Sequence, residues 1–128
     1  MKRVFNWILT IALALGLCAC GQSTEAKWQE QYDLGVRYLS EGNYEEAIIA
    51  FTAAIDIDPR RPEGYTGRGD AYALSGDTED NLSAALADYE AALELDETLP
   101  GAWLGLADVY IRQGDYDKAL EVLREALE

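Results

Sequence analysis

The sequence predicts an all-α fold, a solenoid of three helix–turn–helix units, and two observations carry the prediction. The first is an internal repeat. A shift of 34 residues lays Gly35 on Gly69 and Tyr38 on Tyr72, and a shift of 38 lays Ala47 on Ala85, Phe51 on Tyr89 and Ala54 on Ala92. The first half then recurs at a total shift of 72 (Leu34 and Tyr38 onto Leu106 and Tyr110), while the second half recurs after a further 34, at Ala119, Leu123 and Ala126. Three units follow, with four extra residues between Tyr72 and Ala85 in the second. The second observation is spacing within a unit. Leu34 and Tyr38, then Ala47, Phe51, Ala54 and Ile55, recur as one face of a helix does.

The repeat does not occupy the whole chain. Lys2 and Arg3 precede Val4–Cys20, where 14 of 17 residues are apolar, the charged-then-apolar layout of a secretory signal. Trp7–Leu17 is short for a membrane span, which needs about 20 residues. The stretch ends in Leu17-Cys18-Ala19-Cys20-Gly21, which resembles the bacterial lipobox. Cys20, with Ala19 before it and Leu17 three back, is the better acceptor of a diacylglyceryl thioether than Cys18. An uncleaved anchor helix and a plain signal are the alternative readings. Two acyl chains make a stable anchor where one is marginal. Residues 1–19 are thus expected to be a lipoprotein signal peptide, 20–26 a lipidated tether of small polar residues, and 27–128 the repeats, at about 28–61, 62–99 and 100–128.

Within the repeats, helices are expected at about 26–41, 44–57, 62–75, 80–96, 100–113 and 116–127. Gly42 and Gly114 stop first helices; Asn43 and Asp115 are suited to cap the second ones, and Asn43 with Glu46 has capping-box spacing. Pro59, Pro62 and Pro100 fall at junctions, where a missing N–H costs little. The paired alanines leave room for close helix approach. Arg68, standing where the other units have Leu34 and Leu106, is expected to lay its stem on the packing surface with its head in water. Gly76-Asp77-Thr78-Glu79-Asp80-Asn81 suggests calcium, but the downstream Gly and bidentate Glu of a calcium loop are missing. It reads as a solvated inter-helix loop that caps the next helix. Asp56-Ile57-Asp58-Pro59 and Glu94-Leu95-Asp96-Glu97 end second helices, and neither sits in an apolar pocket suited to acid–base catalysis.

Leu34-Gly35, Tyr38, Gly42-Asn43-Tyr44, Ala47, Phe51, Ala54 and Pro59, recurring in phase, resemble the tetratricopeptide repeat. The departures are Arg68 and Ala107 (in place of Gly). The resemblance implies antiparallel helix pairs stacked into a right-handed superhelix with a concave face. It also sorts the eight tyrosines. Tyr38, Tyr72 and Tyr110 share one packing site, Tyr44 and Tyr116 another; Tyr89 matches Phe51, Tyr65 matches Trp103, and Tyr32 alone is left over. Ligands of this family lie in the groove lined by first helices, which here implies Tyr32, Thr66 and Leu104; Val36, Asp70 and Asp108; Leu39, Ala73 and Ile111, with Arg112 at the rim. Relatives that clamp acidic C-terminal peptides use Lys, Asn and Arg at positions held here by Tyr32, Val36, Gly67, Gly101 and Gly105, so that clamp is missing. A groove that is apolar with two carboxylates favours an apolar or basic protein segment.

Composition narrows function further. With 24 Asp+Glu against 10 Lys+Arg, a net charge of −14, there is no basic stripe for nucleic acid. The chain has no His, hence no imidazole base or imidazole metal ligand. No catalytic residue, metal site or cofactor is expected. Cleavage before Cys20 would leave 8 Lys+Arg against 24 acids, a net −16 over 109 residues. Leu120, Val122, Leu123 and Leu127 on the last helix have no following helix to cover them. That flank could meet a partner, mediate self-association, or be continued by a longer chain. The expectation is therefore a lipid-anchored interaction scaffold of the bacterial cell envelope, binding a partner through the groove or the last helix. In a Gram-negative cell its place would be the outer membrane, in a Gram-positive cell the outer leaflet of the cell membrane. The alternative is the targeting and docking part of a longer secreted enzyme or binding protein.

Overall fold

The computed structural model describes residues 23–128; the predicted signal segment and Cys20 lie outside them. The described residues form helices α1 (residues 23–41), α2 (Tyr44–Ile57), α3 (Pro62–Ser75), α4 (Glu79–Leu95), α5 (Pro100–Arg112) and α6 (Tyr116–Glu125). Each of α2 to α5 packs on its successor, and α3 also touches α5, so the odd-numbered helices line one side. This is a three-unit helical solenoid, as the repeat required. Among the described residues no helix is long and apolar enough to cross a membrane.

The helix ends follow from local chemistry. Gly42 and Gly114 both have φ +78°, the left-handed conformation that glycine adopts without a Cβ penalty. At each, two backbone N–H groups fold back on the preceding helix: Gly42 to Leu39 O and Asn43 to Tyr38 O, then Gly114 to Ile111 O and Asp115 to Tyr110 O. These are the two bonds of a Schellman turn. Asp115 accepts from the Lys118 N–H, capping α6. Asn43 makes no such cap; its amide donates instead to Glu41, so the expected capping box does not form. Pro62 and Pro100 open α3 and α5. Asp58 and the equivalent Asp96 each accept a backbone N–H two residues on, from Arg60 and Thr98. The Arg60 side chain holds the Asp58 carboxyl below its usual range.

The four inserted residues are absorbed mostly as helix. Counting from the helix start, Ala47 is fourth in α2 and its counterpart Ala85 is seventh in α4. Three of the four residues thus extend α4 at its N-terminus, and one lengthens the loop. Glu79, Asp80 and Asn81 are helical, and the loop is confined to 76–78. Thr78 caps the helix by accepting from Asn81 N. Leu82, the residue after this extension, is buried in the core.

The core runs along the helix pairs. Ala47, Ala54, Ala85 and Ala92 are fully buried, as are Phe51 and Val109. Burial of such a large side chain contributes about 1.5–3 kcal/mol. Val122, expected on the open flank, packs against the main core cluster. Tyr65 and Trp103 share a second role: each donates to a carbonyl six residues earlier, Pro59 O and Glu97 O. Ala107 stands where Gly35 and Gly69 face aromatic rings. Its methyl is compatible with the third unit because Leu123 replaces the ring there.

Two features depart from expectation. Residues 23–26, read from sequence as tether, are already helical. Trp28 pins this stretch: it is 4% exposed, stacks on Tyr32 at 5.0 Å, and carries the Arg61 guanidinium 4.2 Å over its ring. Arg61 also pairs with Glu25 and Asp58, tying the start of α1 to the α2–α3 junction. Arg68 is the second departure. Its head is not in water but donates to both carboxylate oxygens of Asp88, at 2.7 and 2.8 Å, and to Thr52 at 3.1 Å. Asp88 is 5% exposed. The units with Leu34 and Leu106 have Ala50 and Val122 opposite; the middle unit has exchanged an apolar pair for an ionic one.

Candidate functional site: the concave groove

The face formed by α1, α3 and α5 holds a cavity of about 340 Å³. Six of the residues expected in the groove meet there: Leu39, Asp70, Ala73, Leu104, Asp108 and Arg112. Gly101 and Gly105 of α5 also line it. Leu104 is 62% exposed, an apolar side chain presented to solvent on the concave side. Val36 and Ile111 are exposed on the same helices but lie outside this cavity.

Two of the expected groove residues serve other ends. Tyr32, the tyrosine without a packing role by alignment, has one: besides stacking on Trp28 it meets Phe51 edge-on at 5.8 Å. Burial raises its phenol pKa. Thr66 donates its hydroxyl to Pro62 O, a bond within its own helix.

The electrostatics also differ from a groove with two free carboxylates. Arg112 is not at the rim; it bridges the cavity. One guanidinium nitrogen donates to Ala73 O at 2.6 Å and to Asp77 at 3.2 Å, and the other pairs with Asp108 at 2.9 Å. Asp70 accepts a 2.6 Å bond from the Tyr89 hydroxyl. Burial drives the Asp70 carboxyl up, and the Tyr89 bond opposes that. Tyr89 itself is pushed far up by burial and by the Asp70 charge. Three carboxylates against one guanidinium leave the groove negative.

Tyr89 is the groove residue that alignment missed, because its counterpart Phe51 has no hydroxyl. The signal lay in a pairing: Val36 goes with Phe51 in the first unit, Asp70 with Tyr89 in the second. The raised Asp70 pKa has a consequence for stability. A carboxyl whose folded pKa lies above its unfolded one favours the fold only while protonated. Its penalty grows as pH rises through the carboxylate range. Asp70→Asn keeps an acceptor for Tyr89 and removes the charge. Urea unfolding at pH 3 and pH 7 should therefore show the variant gaining on wild type as pH rises.

The glycines explain the missing acidic-peptide clamp physically. A Cβ at Gly67 would lie 2.5 Å from Phe51 Cε1, and one at Gly105 2.4 Å from Tyr89 Cζ. No longer side chain fits at either position while the rings stay.

A groove on one face of stacked helix pairs defines a helical-repeat protein. The particular repeat is shown by comparison: tetratricopeptide-repeat models match residues 35–76 and 78–128, and the units of this chain are tetratricopeptide repeats, a protein-interaction scaffold. Among solved structures, the TPR2B domain of yeast Sti1, in complex with pHsp70, is 29% identical, with 79% of this chain and 78% of that one covered and a TM-score of 0.74. The first TPR of Spaghetti (RPAP3), bound to the HSP90 peptide SRMEEVD, is 24% identical over 80% of each chain, TM-score 0.72. The Yersinia enterocolitica type III secretion translocator chaperone SycD is 22% identical over 79% of this chain and 74% of its own, TM-score 0.73. No curated protein sequence matches the chain significantly.

Proposed function

We propose that this chain is a lipid-anchored adaptor of the bacterial cell envelope that takes an apolar or basic segment of a partner protein in its concave groove and performs no chemistry itself. The groove's charge carries the reading. Asp70, Asp77 and Asp108 surround one guanidinium already held by Asp108, Asp77 and the Ala73 carbonyl, beside the exposed Leu104. Such a site repels an acidic peptide and receives a cation or an apolar side chain. The Sti1 domain is a structural relative in complex with pHsp70, and a peptide path along the odd helices is the natural analogue here. The charge it meets is the reverse of the Lys, Asn and Arg clamp. The anchor reading rests on Lys2-Arg3, the apolar run after them and Leu17–Gly21. Envelope placement follows from it.

One experiment tests both halves. Crosslinking in intact cells followed by mass spectrometry should recover a partner from the membrane fraction with wild type. Cys20→Ser should move the protein out of that fraction. Asp70→Lys with Asp108→Lys should weaken capture at least tenfold, by reversing the two central charges. A wild-type protein that fractionates as soluble removes the anchor; undiminished capture by the double variant removes the groove.

A further inference from the structure

Tyr89 belongs to α4, an outer helix, yet it lines the concave cavity. It reaches that face through a slot between α3 and α5. A Cβ on Gly69 would lie 3.0 Å from Tyr89 Cε1, and one on Gly105 2.4 Å from Tyr89 Cζ, so the two glycines flank the ring. The first unit has the same slot, Gly35 and Gly67 around Phe51, and there the ring ends without a polar group. The middle unit differs by one oxygen on the ring and by Asp70 where the first unit has Val36. That hydroxyl donates to Asp70 Oδ1 at 2.6 Å.

Fold stability does not require the exchange. A bare ring fills the same slot in the first unit, whereas a half-buried carboxylate without a counter-ion costs free energy. Asp70 is such a group. Its Oδ2 meets no donor among the described residues, and the one guanidinium lining the cavity is already divided among Ala73 O, Asp77 and Asp108. Asp108 holds the position on α5 that Asp70 holds on α3, and among the described residues its Oδ1 is also unpaired. Both charges act on the Tyr89 phenol, so they share one neighbourhood. Arg112, one turn beyond Asp108, shows the chemistry that this wall accepts. Beside it Leu104 is exposed, and a Cβ on Gly101 would be 4.0 Å from its nearest neighbour. That leaves room over α5 for a side-chain stem.

We propose that Asp70 is the specificity residue of the groove, pairing with one Arg or Lys side chain of the bound partner segment, and that Tyr89 is a positioning residue that holds the Asp70 carboxylate toward the cavity. The assignment rests on the groove being the partner site. It narrows the partner from an apolar or basic segment to one with a basic side chain at this point. Tyr89 takes Oδ1, which leaves Oδ2 for the incoming cation, with Asp108 as the second carboxylate. The stem of that side chain lies over Leu104 and Gly101. A neutral or acidic residue there would leave both carboxylates without a counter-charge.

The probes are capped arginine (Nα-acetyl-arginine methylamide) and its citrulline twin, which keeps the shape and loses the charge. Each is titrated by NMR into the isotope-labelled full chain in neutral detergent at low salt. Backbone amides of Asp70, Ala73, Gly101 and Gly105 should shift with the arginine probe at about fivefold lower concentration than with the twin. Asp70→Asn should make the two probes equivalent. Tyr89→Phe should reduce the preference to about twofold and leave the citrulline affinity unchanged, which a loss of packing would not do. Glu45→Gln, at an exposed acid on α2, should leave the preference intact. Equal response to the two probes, shifts confined to residues outside the groove, or a preference that survives Asp70→Asn overturns the assignment. So does a preference that Glu45→Gln removes, since net charge would then explain it. An unchanged preference in Tyr89→Phe removes the positioning role. Capture in cells by the Asp70→Lys, Asp108→Lys variant judges the underlying reading separately. If that variant loses its partner while the probes bind alike, only the Asp70 pairing falls; undiminished capture removes the groove as the partner site.

Discussion

Replacing Asp88 with alanine is expected to destabilise the domain by about 3 kcal/mol, the scale on which removing one partner of a buried ion pair strands the other. Arg68 would be that stranded group. Its side chain is 21% exposed, which allows it some water, but two of its three nitrogens are aimed at carboxylate oxygens. The Asp88 hydrogen bond holds the guanidinium pKa above its ordinary value against burial. Removing both charges should have the opposite outcome. Arg68→Leu with Asp88→Val restores the residues that the third unit carries at these positions, Leu106 and Val122. Exchanges of buried ion pairs for packed apolar ones are commonly neutral, or stabilising by about 1–4 kcal/mol. Guanidinium unfolding of wild type, the single variant and the double variant decides the matter. A single variant as stable as wild type would mean that the pair adds nothing to the stacking of α3 on α4.

Gly67→Ala should also destabilise, although alanine favours a helix interior over glycine by about 1 kcal/mol. The added methyl would sit 2.5 Å from Phe51 Cε1, and Phe51 is fully buried with no space to swing into. Overpacking of this kind costs about 1–3 kcal/mol, enough to exceed the propensity gain. Phe51→Leu in the same chain should return part of the loss, since the ring that the new methyl meets is removed. A double-mutant cycle would then show coupling of about 0.5–3 kcal/mol. Gly101→Ala is the control: the nearest atom to its new Cβ is 4.0 Å away. Thermal denaturation should show that variant unchanged or up to about 1 kcal/mol more stable.

The first prediction turns on a departure from the repeat, and that departure was legible on one side only. Arg68 stands out by alignment, because its counterparts are leucines. Its partner does not, since an acid on a helix of an acidic protein resembles every other solvated acid. Asp70 and Tyr89 behave alike: the carboxylate could be assigned to the groove, but the hydroxyl meeting it passed as a packing ring. Tyr32 failed in reverse, left over by alignment yet held by Trp28 and Phe51 in space. Trp28 and Arg61 carried no repeat signal, as they fasten the start of α1 where no earlier unit exists.

The sequence by itself determined the number of units and the ends of most helices. Those depend on spacing and on backbone chemistry within a few residues: the left-handed glycines, the prolines at helix starts, the alanines at every helix crossing. It also determined that the chain has no imidazole and a large excess of acid. Only the tertiary structure decided how the charges are spent. Whether Arg68 meets water or Asp88, whether Arg112 stands at the rim or spans the groove, and which apolar residues of α6 are covered all depend on side chains 20 to 39 residues apart meeting across helices. Local pattern has no access to such distances, because a solenoid brings them together only when its units stack.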